Sequence, residues 1–442
     1  MSEDDGRPAP PPRRTVLVTG AGGAGRTTAA AATATAAARA GARVLLVSAE
    51  PPHVLEAVLG ASLGASRPDS SGTDAGAAPV AVPGTDGLWV ARADPDEEFR
   101  TQAAALQERA RAALDLTGAE PLDAGELTAL PGAETFALLR ALCTRPAQPW
   151  DLVVADLPPV RQALGMLALP EQLRRYLRRL LPPEKQAARA LRPVLAQLAG
   201  VPMPAHGLYA TAARWDAELA RAQRVIGAPG TSVRLVTEPG GAAPAAVREA
   251  RAGCALYGLP LDAVLASRVL PTGSEDAWLA ALSGRQQAVL KELRAAAGDG
   301  ATGVPLCELP HLGRDPHGSA DLSLLASAAG LPDGVPDGPA GGPRAPRLPR
   351  QPGGAVLGRV TDQLAEDGML HWLLPLPGAR RETLELVRRG DELIVGVGPY
   401  RRLLPLPSVL RRCRVAGAAL ADGQLRVRFA PEPRLWPEAA RG

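Results

Sequence analysis

The sequence predicts an α/β protein with a mostly parallel sheet, followed by a small C-terminal all-β sandwich. The first part is predicted by continuous apolar runs that alternate with Ala-, Leu- and Arg-rich stretches of helical spacing. This alternation is typical of a parallel sheet covered by helices on both faces. The second part is predicted by short apolar stretches separated by turn sequences after residue 355.

The predicted elements follow in chain order. Strands of the parallel sheet are expected at Thr15–Thr19, Val44–Ser48, Leu88–Arg92, Leu152–Asp156, Val233–Thr237 and Ala263–Leu270. Helices are expected at Thr28–Ala40 and Ala245–Tyr257, and residues 61–87 are expected to form an exposed loop. The C-terminal strands are expected at Leu373–Pro377, Thr383–Val387, Glu392–Val397, Arg401–Leu406, Val415–Leu420 and Gln424–Phe429.

These elements imply four segments. Residues 1–14 are a Pro-rich tail that we expect to be flexible, and residues 15–330 form the α/β domain. Residues 331–355 are a Pro/Gly linker, a composition with little apolar surface to pack. Residues 356–442 form the β-sandwich domain.

The composition excludes several classes of protein. Apolar residues make up 46% of the 442 residues, enough for a core, but aromatic residues make up only 3%. The net charge of +3 gives no support to bulk nucleic-acid binding. No apolar run reaches the roughly 18 residues of a membrane span, and the N-terminus is polar. Four widely spaced cysteines without a C-x-x-C pair argue against disulfides and a cysteine zinc site, which indicates a reducing cytoplasm.

A glycine-rich loop follows the first strand. The segment Gly20–Thr28 reads GAGGAGRTT and matches G-x-x-x-x-G-K-[ST] except that Arg26 replaces the lysine. Glycines allow successive backbone N–H groups to curl around a phosphate, and the following helix adds its positive N-terminal end. The Thr27 hydroxyl is placed to bind Mg²⁺. The sequence therefore predicts a P-loop NTPase domain with a phosphate site.

Asp156 is a second candidate for the same site. It ends a strand of the predicted parallel sheet, and the carboxyl ends of such strands line the ligand crevice. There it would hold Mg²⁺ through a water, opposite Thr27. The alternative is that Asp156 only caps a turn before Pro158.

Five segments together resemble the ArsA-type ATPases, which drive anion pumps or target tail-anchored proteins. GAGGAGRTT resembles their deviant Walker A loop, Val47–His53 their first switch and Asp151–Pro159 their second switch. Leu261–Pro271 resembles a late strand of the family, and Leu306–Pro310 resembles the loop near the nucleotide base. The C-terminal unit resembles the small-heat-shock-like domain that actinobacterial ArsA-like proteins append.

The resemblance implies a set of site residues. Glu50 would orient the attacking water, and Thr27 and Asp156 would hold Mg²⁺. The nucleotide would be bound by residues of the loop and of two later segments: Gly22, Gly23, Ala24, Gly25, Arg26, Thr27, Thr28, Ser267 and Pro310.

Four positions depart from the family pattern. The lysine that reaches the partner's nucleotide across a dimer is Ala21, and the phosphate-binding lysine is Arg26. The switch carboxylate is Glu50 rather than Asp, and the base-reading Asn is Ser267. Arg keeps the charge of lysine, but its guanidinium is wider and planar.

The resemblance implies a cytoplasmic homodimer that binds ATP and Mg²⁺ and couples its nucleotide state to an unknown ion or protein client. The alternative is a scaffold of the same fold that has lost hydrolysis, because four site positions have changed. A third, weaker reading is a positioning ATPase that rides on membranes or DNA. A groove for transmembrane clients is disfavoured, because residues 160–225 are Arg-rich and contain only Met166 and Met203.

Overall fold

The computed structural model describes residues 14–64, 78–117, 122–123, 125–143, 150–180, 205–298, 303–331 and 358–435. Residues 1–13 of the predicted 1–14 tail and residues 332–355 of the predicted linker lie outside them, so both predictions stay predictions. Arg14 begins the first strand.

The α/β part contains eight strands and nine helices among the described residues. The strands are β1 (Arg14–Gly20), β2 (Val44–Ser48), β3 (Val80–Ala81), β4 (Leu88–Arg92), β5 (Leu152–Pro159), β6 (Thr231–Thr237), β7 (Leu261–Val269) and β8 (Leu306–Pro310). The helices are α1 (Arg26–Arg39), α2 (Pro52–Leu59), α3 (Pro95–Thr117), α4 (Ala133–Cys143), α5 (Val160–Leu180), α6 (Ala205–Ile226), α7 (Ala243–Tyr257), α8 (Ala277–Ala297) and α9 (Gly318–Ala328).

These strands form one sheet in the order β3-β4-β2-β5-β1-β6-β7-β8. All neighbouring pairs are parallel except β3 with β4. The predicted mostly parallel α/β sheet is confirmed. The loop that follows β1 lies at the carboxyl edge of the sheet. Because β1 pairs with β5 in parallel, this loop lies beside the end of β5.

Two expectations for this part were wrong. Leu306–Pro310 is not a loop but the edge strand β8, which pairs with β7. The segment 61–87 is not a wholly exposed loop, because it contains β3 and buries Leu63 and Val82. The strands in both segments are short, so pairing at the two margins of the sheet decides their conformation.

A buried polar network fixes α1 against the sheet. Arg234 on β6 is fully buried and forms an ion pair of 3.0 Å with Asp262 on β7. Its guanidinium also donates to the Thr33 hydroxyl on α1, at 3.0 Å. Arg14 at the start of β1 reaches the same carboxylate at 2.9 Å. The network therefore joins three neighbouring strands to the helix behind the glycine-rich loop.

The C-terminal part is a β-sandwich, as predicted. Its elements are β9 (Arg359–Gln363), β10 (Met369–Pro375), β11 (Leu384–Arg389), β12 (Glu392–Val397), β13 (Tyr400–Pro405), the one-turn helix α10 (Ser408–Arg411), β14 (Cys413–Ala421) and β15 (Gln424–Pro431). One antiparallel sheet has the order β14-β15-β10-β9 and the other β11-β12-β13. Trp372, Val395 and Phe429 are fully buried in its core.

The sandwich packs directly on the α/β part. Tyr400 lies so close to Gly253 of α7 that a Cβ on this glycine would be 2.6 Å from its ring. Arg402 forms a 3.0 Å ion pair with Glu171 of α5 and donates to the Leu256 carbonyl of α7. One hydrophobic cluster runs through both parts. The two parts therefore share a packed interface, and the domain boundary within residues 331–355 stays a prediction.

Candidate functional site

The glycine-rich loop between β1 and α1 depends on three glycines. Gly23 and Gly25 adopt the left-handed conformation, with φ of 74° and 79°. Gly20 lies against β6, where an added Cβ would be 1.9 Å from the Val236 carbonyl oxygen. Within the loop, a hydrogen bond of 3.3 Å from the Ala24 N–H to the Ala21 carbonyl closes a tight turn.

The loop presents backbone donors to open space. Among the described residues, no acceptor pairs with the N–H groups of Gly22, Gly23 and Gly25, or with those of residues 26–28 at the start of α1. A Cβ added at any of these three glycines would meet nothing within 4 Å. Free N–H groups at a helix N-terminus attract anions, because the helix dipole adds to their partial charges. This loop can therefore hold a phosphate.

Asp156 lies beside this loop, near the end of β5. The Ser48 hydroxyl at the end of β2 donates to Asp156 Oδ2 at 3.0 Å and accepts from the Glu50 N–H at 3.1 Å. The other carboxylate oxygen, Oδ1, is buried and has no hydrogen-bond partner within the described residues. An unpartnered buried carboxylate oxygen is costly unless a ligand completes its coordination.

The surroundings of Asp156 set its ionisation. Burial raises the pKa of its carboxyl from 3.8 to about 6. The hydroxyls of Thr27 and Ser48 and the charge of Arg26 act in the opposite direction but are weaker, and the charge of Glu50 adds to the rise. The carboxyl is therefore ionised at neutral pH. A hard cation such as Mg²⁺ fits its free oxygen beside the Thr27 hydroxyl, because Mg²⁺ prefers oxygen ligands.

A cavity of about 350 Å³ opens in front of Asp156. The polar side chains that line it belong to Arg26, Ser48, Glu50, Glu134, Asp156 and Gln162. The Arg26 guanidinium donates to the Leu157 carbonyl on β5, which turns it toward this cavity. The structure therefore brings together Arg26, Glu50 and Asp156, with Thr27 beside them.

The other predicted residues lie elsewhere around the loop. Gly22 to Gly25 do not line the cavity. Ser267 lies two residues before the end of β7 and Pro310 ends β8, and both strands lie beyond β6 as counted from β1. Ser267 is buried, and its hydroxyl donates to the Thr237 carbonyl at 3.4 Å. A contact of Ser267 or Pro310 with a nucleotide base stays a prediction.

Sequence reasoning missed two residues of this region. Arg268 adopts a left-handed conformation with φ of 52°, and its guanidinium donates to the Gly23 carbonyl at 2.9 Å while pairing with Glu238 at 3.0 Å. Glu134 lies in the first turn of α4 and lines the cavity. Neither residue has a sequence signal, because each reaches the site only through tertiary packing.

The four cysteines are distributed through the fold. Cys143 ends α4, Cys254 lies in α7, Cys307 in β8 and Cys413 at the start of β14. Burial raises the pKa of the Cys254 thiol to about 12 and also raises the pKa of Cys307 and Cys413. These thiols therefore stay protonated at neutral pH, unlike reactive cysteines.

Within the ranges that the structure describes, no helix has both the length and the apolar character to cross a membrane.

Comparison with known proteins identifies the two parts. Residues 13–327 match the family described as anion-transporting ATPase, and residues 367–429 match the HSP20-like domain found in ArsA.

Three relatives extend along most of the chain. An uncharacterized protein of Streptomyces coelicolor is 52% identical over 401 residues, which cover 90% of this chain and 93% of that protein. A Mycobacterium tuberculosis protein is 32% identical and covers 71% of each chain. A putative arsenical pump-driving ATPase of Aquifex aeolicus is 24% identical, covering 88% of this chain and 92% of its own length. The chain therefore belongs to the ArsA family of ATPases, with the HSP20-like domain of that family at its C-terminal end.

Proposed function

We propose that this chain binds ATP with Mg²⁺ at the cavity beside the glycine-rich loop and hydrolyses it. The observation that supports the proposal best is the buried carboxylate of Asp156, whose Oδ1 has no hydrogen-bond partner among the described residues. This carboxylate lies beside Thr27, which follows the open N–H groups of the loop. The desolvation cost of burying such a charged group is compensated when a cation binds it.

Each residue then has a distinct role. The open N–H groups of the loop and the first turn of α1 bind the phosphates, and Arg26 neutralises their charge. Thr27 and Asp156 hold Mg²⁺, which supplies charge stabilisation at the transferred phosphate. Glu50 orients the attacking water from its position across the cavity.

A homodimer would complete the site, because the chain carries one such domain. Ala21, Gly22 and Gly23 form an exposed rim of the loop, where a second copy could approach the phosphates. The nucleotide state would then open or close the dimer and so control binding of an ion or protein client. We place the protein in the cytoplasm, where ATP is available and its four free thiols stay reduced.

The hydrogen bond from Arg26 to the Leu157 carbonyl favours a second candidate, a scaffold that binds nucleotide without hydrolysing it. With this bond formed, the Arg26 guanidinium is held by β5 rather than by a phosphate, and Ala21 supplies no charge across a dimer. Transition-state stabilisation on the phosphates would then be weak.

A phosphate-release assay separates the two candidates. An ATPase gives turnover in the unmodified chain, and Arg26→Lys keeps or raises it. A scaffold gives only background with Arg26→Lys, and turnover appears only when Ala21→Lys is added. Arg285→Ala, at an exposed position on α8, is the matched control and should change nothing.

A further inference from the structure

On the outer face of the four-stranded sheet in the β-sandwich, the charged side chains at strand positions all belong to arginines. One histidine also lies at an outward position. Leu370, Trp372 and Leu374 of β10 point into the core, so the alternate residues and their cross-strand neighbours point outward. Four exposed arginines occupy outward positions: Arg359, Arg414, Arg426 and Arg428.

The four arginines of this face lack partner carboxylates within the described part of the chain. No Asp or Glu shares these outward strand positions, and none of the four arginines has an ion pair among the described residues. The outward His371 bonds to Asp367 in the β9–β10 turn, at 2.7 Å. Like charges held close together repel one another, so an anionic partner would stabilise this face.

Strand β14 borders the arginine face with a free edge. It pairs only with β15, and no backbone–backbone hydrogen bond joins its other side to any described residue, although the Arg388 guanidinium donates to the carbonyl of Cys413 at its start. A bulge between Val415 and Gly417 interrupts its pairing with β15, but from Val415 to Ala421 its side chains are small or apolar, without the Lys, Pro or acidic residue that usually protects an edge strand. Such an edge can accept a further strand.

One arginine connects the face with the edge. The Arg428 guanidinium extends from β15 across Gly417 of β14, so that a Cβ on Gly417 would be 2.8 Å from Arg428 Nη2. The glycine therefore leaves room for the charge to lie over the edge strand. Arg414 places a second charge on β14 itself.

We propose that the β14 edge binds an extended, acidic segment of a partner protein, which adds a strand to this sheet. The backbone of that segment would pair with β14, and carboxylates at alternate positions would face Arg414 and Arg428. Alternate residues in a strand are about 6.8 Å apart, within reach of such side chains.

Two other classes of anionic partner fit less well. Apart from His371, which is buried, the outward positions carry no aromatic ring on which nucleic-acid bases could stack. The apolar side chains at these positions, such as Met369 and Leu373, are half-buried and do not protrude like those that insert into a lipid surface. Neither partner would use the backbone groups of the free edge. The proposal does not depend on the nucleotide site.

The experiment measures binding of blocked decapeptides to the full-length protein by fluorescence anisotropy, without nucleotide. The probes are a peptide of alternating Glu and Val, the same peptide with Gln in place of Glu, and the Glu peptide with N-methyl groups on alternate residues. The variants are the Arg414→Ala/Arg428→Ala pair and, as control, Arg389→Ala on the exposed side of β11. Vesicles containing phosphatidylserine are the lipid probe.

We expect the Glu peptide to bind and the other two peptides to bind at least about 10-fold more weakly, which corresponds to about 1.4 kcal/mol. The double variant should lose a similar factor, while Arg389→Ala should stay within 2-fold of the unmodified protein. Equal binding of the N-methylated peptide would overturn strand addition. Binding that is unchanged in the double variant, no binding of the Glu peptide near 1 mM, or arginine-dependent capture of vesicles alone would overturn the proposal as well.

Discussion

Replacing Asp156 by Asn should make the nucleotide-free protein more stable at neutral pH. The pKa of this carboxyl rises from 3.8 to about 6 on folding, so the folded state pays for holding the carboxylate ionised. A raised carboxyl pKa lowers stability above the folded pKa and leaves it unchanged below the unfolded pKa. The cost is about 3 kcal/mol at pH 7.5 and about 1.5 kcal/mol at pH 5. Asn avoids it and can still accept from Ser48.

The assay is urea unfolding of both proteins at pH 7.5 and pH 5, in EDTA and without nucleotide. The gain from Asp156→Asn should shrink by about half between the two pH values. Asp315→Asn, at an exposed position with no described hydrogen bond, is the control and should be neutral at both. A variant that is no more stable than the unmodified protein at pH 7.5, or a gain independent of pH, would refute an ionised carboxylate whose Oδ1 has no hydrogen-bond partner in the described part of the chain.

Three further predictions follow from packing. Gly20→Ala should lower the free energy of unfolding by several kcal/mol in urea, because its Cβ would meet a backbone oxygen of β6. Gly22→Ala should unfold like the unmodified protein, and equal stability of the two variants would contradict the close approach at Gly20. Limited proteolysis should cut first within residues 331–355, and the cut β-sandwich should still co-elute with the α/β part in gel filtration. Arg402→Ala should weaken this association, because it removes the ion pair with Glu171 and the bond to the Leu256 carbonyl. Immediate separation of the unmodified fragments would contradict a packed interface. Arg268→Ala should raise amide hydrogen exchange in the glycine-rich loop, and unchanged exchange would mean that its bond to Gly23 does not hold the loop.

The elements that sequence reasoning located are those with a strong local pattern. Strands β2, β4 and β12 have the predicted bounds, because continuous or alternating apolar residues are typical of buried strands. Strand β9 (RVTDQ) was missed because its one apolar residue carries no periodicity. Its conformation depends on pairing with β10, a tertiary interaction.

The same division applies to the site. Asp156, Arg26 and Thr27 could be predicted, because a glycine-rich loop after a first strand and an acidic strand end are local features with a fixed place in parallel sheets. Glu134 and Arg268 could not, because their contacts join segments more than a hundred residues from the loop in sequence. The partnerless Oδ1 of Asp156 could not be predicted either, since it depends on the burial of three converging strands.

Calorimetric titration of ATP into the protein tests the central claim most directly. With Mg²⁺ present, the unmodified chain should bind ATP at micromolar concentration. Arg26→Ala should weaken this binding by about 1.5–3 kcal/mol, and Asp156→Asn should abolish the difference between titrations with Mg²⁺ and with EDTA. If the unmodified chain does not bind ATP at millimolar concentration, or if both variants bind it as the unmodified chain does, the loop and Asp156 do not form a nucleotide site.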